Sequence, residues 1–204
     1  MKIQLALDRL TKEECFSILE ETADNIDWIE VGTGVIKEYG MEIIREIRHE
    51  YPHKPIVADM KTCDAGRHEA IQAFKAGADI LTVMAFSHNN TIIETLEVAR
   101  QYNKQIMIDL LGVQTKQRAE ELQRLGVDLF CLHIGKDMQQ EGALVDPSLY
   151  ELVSGLENIE FAIAGGISEK TIRALNGVDI AIVGSAITGS RNPGEASKIL
   201  NSTG

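Results

Sequence analysis

Short, nearly continuous apolar runs recur along the chain, each followed by a polar or glycine-rich turn and then a longer amphipathic segment. The runs are Ile3–Leu7, Trp28–Val31, Ile56–Ala58, Ile80–Met84, Ile106–Ile108, Leu129–Leu132, Phe161–Ala164 and Ile180–Val183. They repeat at roughly 25 residues, the length of one strand plus one helix with their connections. Near-continuous runs of Ile, Val and Leu separated by helices predict parallel strands covered on their outer face. Helix signals fill the intervals. Thr11 and Glu14 have the spacing of a capping box, and Thr115 precedes Arg118-Ala119-Glu120-Glu121-Leu122. Gly77, Gly126 and Gly177 stand where helices should end, each followed within two residues by Asp and the next strand. The pattern predicts an α/β fold, a single-domain (β/α)8 TIM barrel over residues 1–204. A doubly wound open sheet is the alternative, although it ordinarily has fewer strands at this length.

Composition narrows the partners. The net charge of −11 argues against sequence-independent binding to nucleic acid or to an anionic membrane, both of which need basic surfaces. An anionic ligand must therefore be held by a local pocket. No apolar stretch approaches the roughly 20 residues that span a bilayer, and Met1-Lys2-Ile3-Gln4-Leu5 enters a strand pattern without the layout of a signal peptide. A cytoplasmic protein is expected. Cys15, Cys63 and Cys131 are odd in number and far apart, which suits neither a disulfide framework nor zinc-ligand spacing. They read as reduced thiols, with Cys15 and Cys131 as packing residues.

In a barrel of this kind the chemistry sits at the C-terminal ends of the strands. Those ends are polar nearly throughout. The first run ends in Asp8, the second in Glu30 before Gly32-Thr33, the third in Asp59 and Lys61, the fifth in Asp109 and the sixth in His133. Taken singly, Asp8 could start a turn, Glu30 could be exposed, Asp109 could cap a helix and His133 could be a hydrogen-bonded core residue. Convergence on one face changes that weighing, because crowded carboxylates repel unless a cation sits among them. Asp59-Met60-Lys61-Thr62-Cys63-Asp64 is the densest such cluster. Glu30 and Asp59, on adjacent strands, suit a magnesium ion with positions left for substrate oxygens; manganese could replace it at an all-oxygen site. The seventh and eighth runs end in Gly165-Gly166-Ile167-Ser168 and Gly184-Ser185-Ala186, which fit a phosphate site made of backbone N–H groups and a helix N-terminus, the alternative being glycines that only make tight turns. Arg191 could add charge to the same anion or face solvent.

With these residues in view, the chain resembles the orotidine-monophosphate decarboxylase suprafamily, and within it the 3-hexulose-6-phosphate synthases. The resemblance runs essentially end to end. The Asp59-x-Lys61-x-x-Asp64 signature carries the suprafamily; Leu5-Ala6-Leu7-Asp8, Ile29-Glu30-Val31-Gly32-Thr33, Ile108-Asp109-Leu110-Leu111-Gly112-Val113, Leu132-His133-Ile134-Gly135, Ala164-Gly165-Gly166-Ile167 and Val183-Gly184-Ser185-Ala186-Ile187-Thr188 select the branch. It implies a magnesium-dependent aldol reaction of formaldehyde with D-ribulose 5-phosphate through an enediolate. Glu30 and Asp59 would hold the metal and Lys61 would stabilise the enediolate charge. His133 is the first candidate base and Asp64 the second. The resemblance further implies a homodimer with shared sites, Asp64 being supplied across the interface. Asp8 would orient substrate hydroxyls and the lysine, Asp109 would contact substrate, and Gly165, Gly166, Gly184 and Ser185 would bind the phosphate. The related 3-keto-L-gulonate 6-phosphate decarboxylases typically have Glu in place of Asp109 and Arg in place of Lys136 and Ser185, so all three positions favour the synthase. Lys136 retains a positive charge, which is compatible with some decarboxylase side activity. A catalytically silent sugar-phosphate-binding barrel is the alternative from another class.

Overall fold

The computed structural model describes residues 1–140 and 147–203. Eight parallel strands follow one another around a closed barrel: β1 (Lys2–Leu7), β2 (Trp28–Val31), β3 (Ile56–Thr62), β4 (Ile80–Met84), β5 (Gln105–Asp109), β6 (Leu129–His133), β7 (Glu160–Ala164) and β8 (Ile180–Val183), with β8 pairing back onto β1. The open-sheet alternative is thereby excluded. The helices are α1 (Lys12–Thr22), α2 (Thr33–Tyr39), α3 (Glu42–Glu50), α4 (Gly66–Ala76), α5 (Asn89–Tyr102), α6 (Lys116–Arg124), α7 (Lys136–Gln140), α8 (Glu169–Ile172), α9 (Ser185–Thr188) and α10 (Pro193–Thr203). The Thr11–Glu14 capping box is formed, whereas Thr115 takes the N-cap position of α6 without a side-chain bond.

The continuous apolar runs have a simple cause. Successive side chains of a strand point to opposite faces, and here both faces are buried. Ile3, Leu5, Leu7, Ile29, Val31, Leu81 and Val83 belong to the layer between barrel and helices. Trp28, Val57, Ile80, Met107, Leu129, Ala162 and Ile180 form a separate cluster inside the barrel. Cys15 and Cys131 are buried, as their packing role required, and Cys63 is exposed.

The two ends of the barrel are built differently. At the N-terminal end, the aspartates preceding β2, β4 and β8 each accept a backbone N–H from the neighbouring strand: Asp27 from Ile3, Asp79 from Ile56 and Asp179 from Phe161, at 2.7, 2.8 and 2.9 Å. Asp79 also pairs with Arg48 and Lys104, whose cations hold its carboxyl below the ordinary value against the opposing effect of burial. These charges lock strand ends at the face remote from the cavity described below.

One strand departs from the sequence expectation. The apolar run stops at Ala58, yet β3 continues to Thr62 and carries the Asp-x-Lys element inside it. Val57 pairs with Ile80 and Ala58 with Leu81, but the next pair is Thr62 with Val83, so β3 advances four residues while β4 advances two. Asp59, Met60 and Lys61 bulge out of the ladder, and Lys61 takes a left-handed backbone conformation with φ of +50°.

Candidate active site

Inside the barrel, the inward positions change character toward the C-terminal end. Above the apolar floor stand Glu30 (β2), Asp59 (β3), Thr82 (β4), Asp109 (β5) and His133 (β6), while Ala6, Ala164 and Ile182 keep the opposite wall small and apolar. They line a cavity of about 600 Å³ that also receives Asp8, Lys61, Lys136, Gly165, Gly166, Gly184 and Ser185. Another concavity, near Phe16, Glu46 and Tyr51, lies on the helical exterior away from this cluster.

Lys61 is the hub. Its Nζ lies 3.1 Å from Asp59 Oδ1 and 2.8 Å from Asp109 Oδ2. Burial by itself pulls the ammonium toward neutrality, but the two carboxylates outweigh it and raise the pKa above the ordinary lysine value. Lys61 is therefore a fixed cation, suited to facing an oxyanion and unsuited to acting as a base.

Asp109 shows the same balance from the other side. Burial pushes its carboxyl up, while the hydrogen bond and charge of His133 and the ammonium of Lys61 bring it down to about 2. Its Oδ1 accepts the Leu111 N–H at 2.8 Å, and its Oδ2 lies 2.9 Å from His133 Nδ1. An ionised carboxylate only accepts, so Nδ1 is the nitrogen that donates to Asp109, and in the neutral ring Nε2 is the one left to face substrate. This is the geometry of an oriented base.

Asp59 is held from three directions. Its Oδ1 accepts the Thr82 hydroxyl at 2.7 Å in addition to Lys61, and the Thr33 hydroxyl lies 2.8 Å from Oδ2 and 2.7 Å from its backbone carbonyl oxygen. Glu30 is less well provided. Gln4 donates to its Oε2 at 2.5 Å, and no described residue donates to Oε1. Burial, followed by the nearby charge of Asp59, pushes the Glu30 carboxyl up to about 8.

Glu30 and Asp59 are the carboxylates that would face a divalent cation. Glu30, Asp59 and Asp109 face a single ammonium, which leaves two negative charges uncompensated when all three are ionised. A dication beside Glu30 and Asp59 would balance them, and two carboxylates with remaining positions open is the arrangement magnesium accepts. No group of three or more His, Cys, Asp or Glu suited to a metal occurs among the described residues, so a closed structural metal site is absent there.

Gly165 and Gly166 adopt φ of +106° and +69° at the end of β7. A Cβ on Gly165 would lie 2.4 Å from the carbonyl oxygen of Ile134, so only glycine fits this turn. Gly184 ends β8 and precedes α9. Both turns border the cavity on the wall opposite Lys61's strand, which leaves the apolar span of Ala164 and Ile182 between them.

One expected contact, that of Asp8 with Lys61, is not made. Asp8 does not hold the lysine: its Oδ1 accepts the Gly34 N–H of α2 at 2.8 Å and its Oδ2 pairs with Arg9 at 3.2 Å, because the β1 end lies across from α2 rather than over Lys61. Arg191 is exposed and does not line the cavity. Asp64 is exposed and stands outside the cavity of its own chain. Gln4, Thr33 and Thr82 contact the carboxylates directly without having been singled out in the sequence.

A lysine cation fixed between carboxylates at the open end of a parallel barrel is equipment for stabilising a developing negative charge, and it places the protein among the (β/α)8-barrel enzymes. Its lineage can be stated more narrowly. Residues 1–199 match the orotidine 5'-phosphate decarboxylase / HUMPS family, and the chain belongs to it. A 3-hexulose-6-phosphate synthase of Staphylococcus aureus is 35% identical over 201 residues, covering 97% of this chain and 96% of that protein. The crystal structure of 3-hexulose-6-phosphate synthase from Salmonella typhimurium superposes with a TM-score of 0.96 at 35% identity, covering 100% and 98% of the two chains. A 3-keto-L-gulonate-6-phosphate decarboxylase from Vibrio cholerae is also similar, with a TM-score of 0.89, 31% identity and coverage of 99% and 96%.

Proposed function

We propose that the protein catalyses the 3-hexulose-6-phosphate synthase reaction, the reversible aldol addition of D-ribulose 5-phosphate to formaldehyde giving D-arabino-hex-3-ulose 6-phosphate. The observation that carries this reading is the Lys61–Asp109–His133 chain, a fixed cation and an oriented base joined through one short carboxylate. The synthase relatives support it across the whole chain length.

In this reading the glycine turns hold the phosphate through backbone N–H groups, which places carbon 1 of the pentulose toward β5 and β6. His133 Nε2 removes a carbon 1 proton, and the Lys61 ammonium faces the enediolate oxygen that gains charge. Carbon 1 then attacks formaldehyde, and the imidazolium returns its proton to the new alkoxide. Magnesium or manganese held by Glu30 and Asp59 would supply Lewis-acid polarisation of the ketone. Substitution of Gly165 by Ala is expected to raise KM for ribulose 5-phosphate more than it lowers kcat, because it distorts the phosphate turn and leaves the Lys61 cluster in place.

The exposed Asp64 and the exposed Phe86, at 66%, sit on neighbouring loops joined by the Ser87 hydroxyl, which lies 3.3 Å from the Thr62 carbonyl oxygen. This apolar and acidic rim supports a homodimer in which each chain lends Asp64 to its partner's site. Mixing and reannealing Lys61→Ala with Asp64→Ala then restores activity that neither variant has alone, since one site of the mixed dimer is intact. Unshared sites would give no recovery. The three free thiols accord with a cytoplasmic location, and no helix of the described residues is long and apolar enough to cross a membrane.

Lys136 lines the cavity and favours a second, slower activity on 3-keto-L-gulonate 6-phosphate. Formaldehyde loss with D-ribulose 5-phosphate, followed with magnesium and with a chelator beside CO2 release from the keto-gulonate, tests both. Rapid metal-dependent formaldehyde loss with slow CO2 release is the expected result. Rapid CO2 release would make the protein a decarboxylase, and inactivity toward both substrates would leave a binding role.

A further inference from the structure

The bulge that carries the reactive lysine is unusual in holding a non-glycine residue in a left-handed conformation at the centre of a charged cluster. Asp59, Met60 and Lys61 leave the β3–β4 ladder together, so the Lys61 N–H has lost its strand partner. Thr82, on the inward face of β4 and only 4% exposed, supplies a replacement. Its Oγ1 accepts the Lys61 N–H at 3.0 Å and donates its single proton to Asp59 Oδ1 at 2.7 Å. A hydroxyl has one proton, and this one has a defined destination. The same oxygen thus ties the backbone of the lysine to the carboxylate two residues earlier, which in turn touches the lysine Nζ at 3.1 Å.

We propose that Thr82 is a positioning residue for the reaction: its hydroxyl fixes the bulge so that the Lys61 ammonium and the Asp59 carboxylate are presented together to the cavity. The alternative to that tie is a ladder into which Lys61 could relax, moving its side chain relative to Asp109 and His133. A serine preserves the hydroxyl, and a valine preserves the shape without it. Because the kinetic part rests on the synthase reading, a structural measurement independent of turnover accompanies it.

The experiment compares wild type, Thr82→Val and Thr82→Ser in formaldehyde consumption with D-ribulose 5-phosphate and magnesium, and determines crystal structures of the wild type and the valine variant. Valine is expected to lower kcat about 100-fold, the scale of a displacement near 1 Å at a reacting group, with KM changed much less. Serine is expected to recover most of the loss. In the valine crystal, Lys61 is expected to leave positive φ or its Nζ to leave Asp109. Wild-type kcat in the valine variant, equal loss in serine and valine, or an unmoved lysine would each overturn the proposal. Should valine not yield folded protein, Thr82→Ala carries the same comparison. An inactive wild type would refute the synthase reading alone, and Thr82 would then be judged on the crystal structures.

Discussion

Lys61→Ala is expected to turn over about a thousandfold more slowly than wild type while remaining folded, because it removes the ammonium aimed at the developing oxyanion. The loss should fall on kcat, since the phosphate turns are on the other side of the cavity and binding through them persists. Folding survives because neither carboxylate is orphaned. Asp59 keeps the hydroxyls of Thr33 and Thr82, and Asp109 keeps the Leu111 N–H and His133. Circular dichroism and steady-state kinetics together check the prediction. A variant with full activity would remove Lys61 from the chemistry, and one that loses activity only by unfolding would leave its role structural.

Glu30→Gln is expected to abolish the response to metal and, without metal, to make the protein more stable at alkaline pH. The Glu30 carboxyl is raised from an ordinary 4.5 to about 8, first by burial and then by Asp59. The folded state therefore holds this proton more tightly than the unfolded chain does. Its contribution to stability is complete below pH 4.5, falls as pH rises and is lost by about pH 8. Glutamine carries no such charge. The Tm of the variant minus that of metal-free wild type should grow between those limits. Magnesium or manganese should raise the wild-type Tm near pH 8 and leave the variant unmoved. A pH-independent difference, or an equal metal shift in both proteins, would place the cation elsewhere.

The barrel was legible because parallel strands buried on two faces produce apolar runs that interrupt helix patterns at a steady interval. The strand ends were legible for a related reason, since Asp, Glu, Lys and His at the ends of such runs converge on one face of the barrel, where crowded carboxylates repel unless a cation sits among them. Legibility failed where a strand was held by something distant. Nothing within Asp59-Met60-Lys61 indicates that β3 continues through them, because the continuation depends on Thr82, about twenty residues away in Leu81-Thr82-Val83. Thr82 looks there like an ordinary β-branched strand residue, and Gln4 is equally inconspicuous in Ile3-Gln4-Leu5. Strand parity is the signal that could have found both: Gln4 shares the inward face with Ala6, and Thr82 shares it with Ile80. The contacts of Asp8 were hidden for a comparable reason. Its place at the end of β1 was readable, but its engagement with Gly34 depends on where α2 begins.

In the proposed reaction His133 and Lys61 generate and hold a carbanion at carbon 1 before formaldehyde is involved. Exchange of the carbon 1 proton of D-ribulose 5-phosphate into deuterated water, followed by NMR with enzyme and magnesium but no formaldehyde, tests it most directly. Exchange is expected at one carbon 1 position, dependent on metal and lost in Lys61→Ala and in His133→Ala. Formaldehyde consumption without any such exchange, or exchange that survives removal of His133, would contradict it.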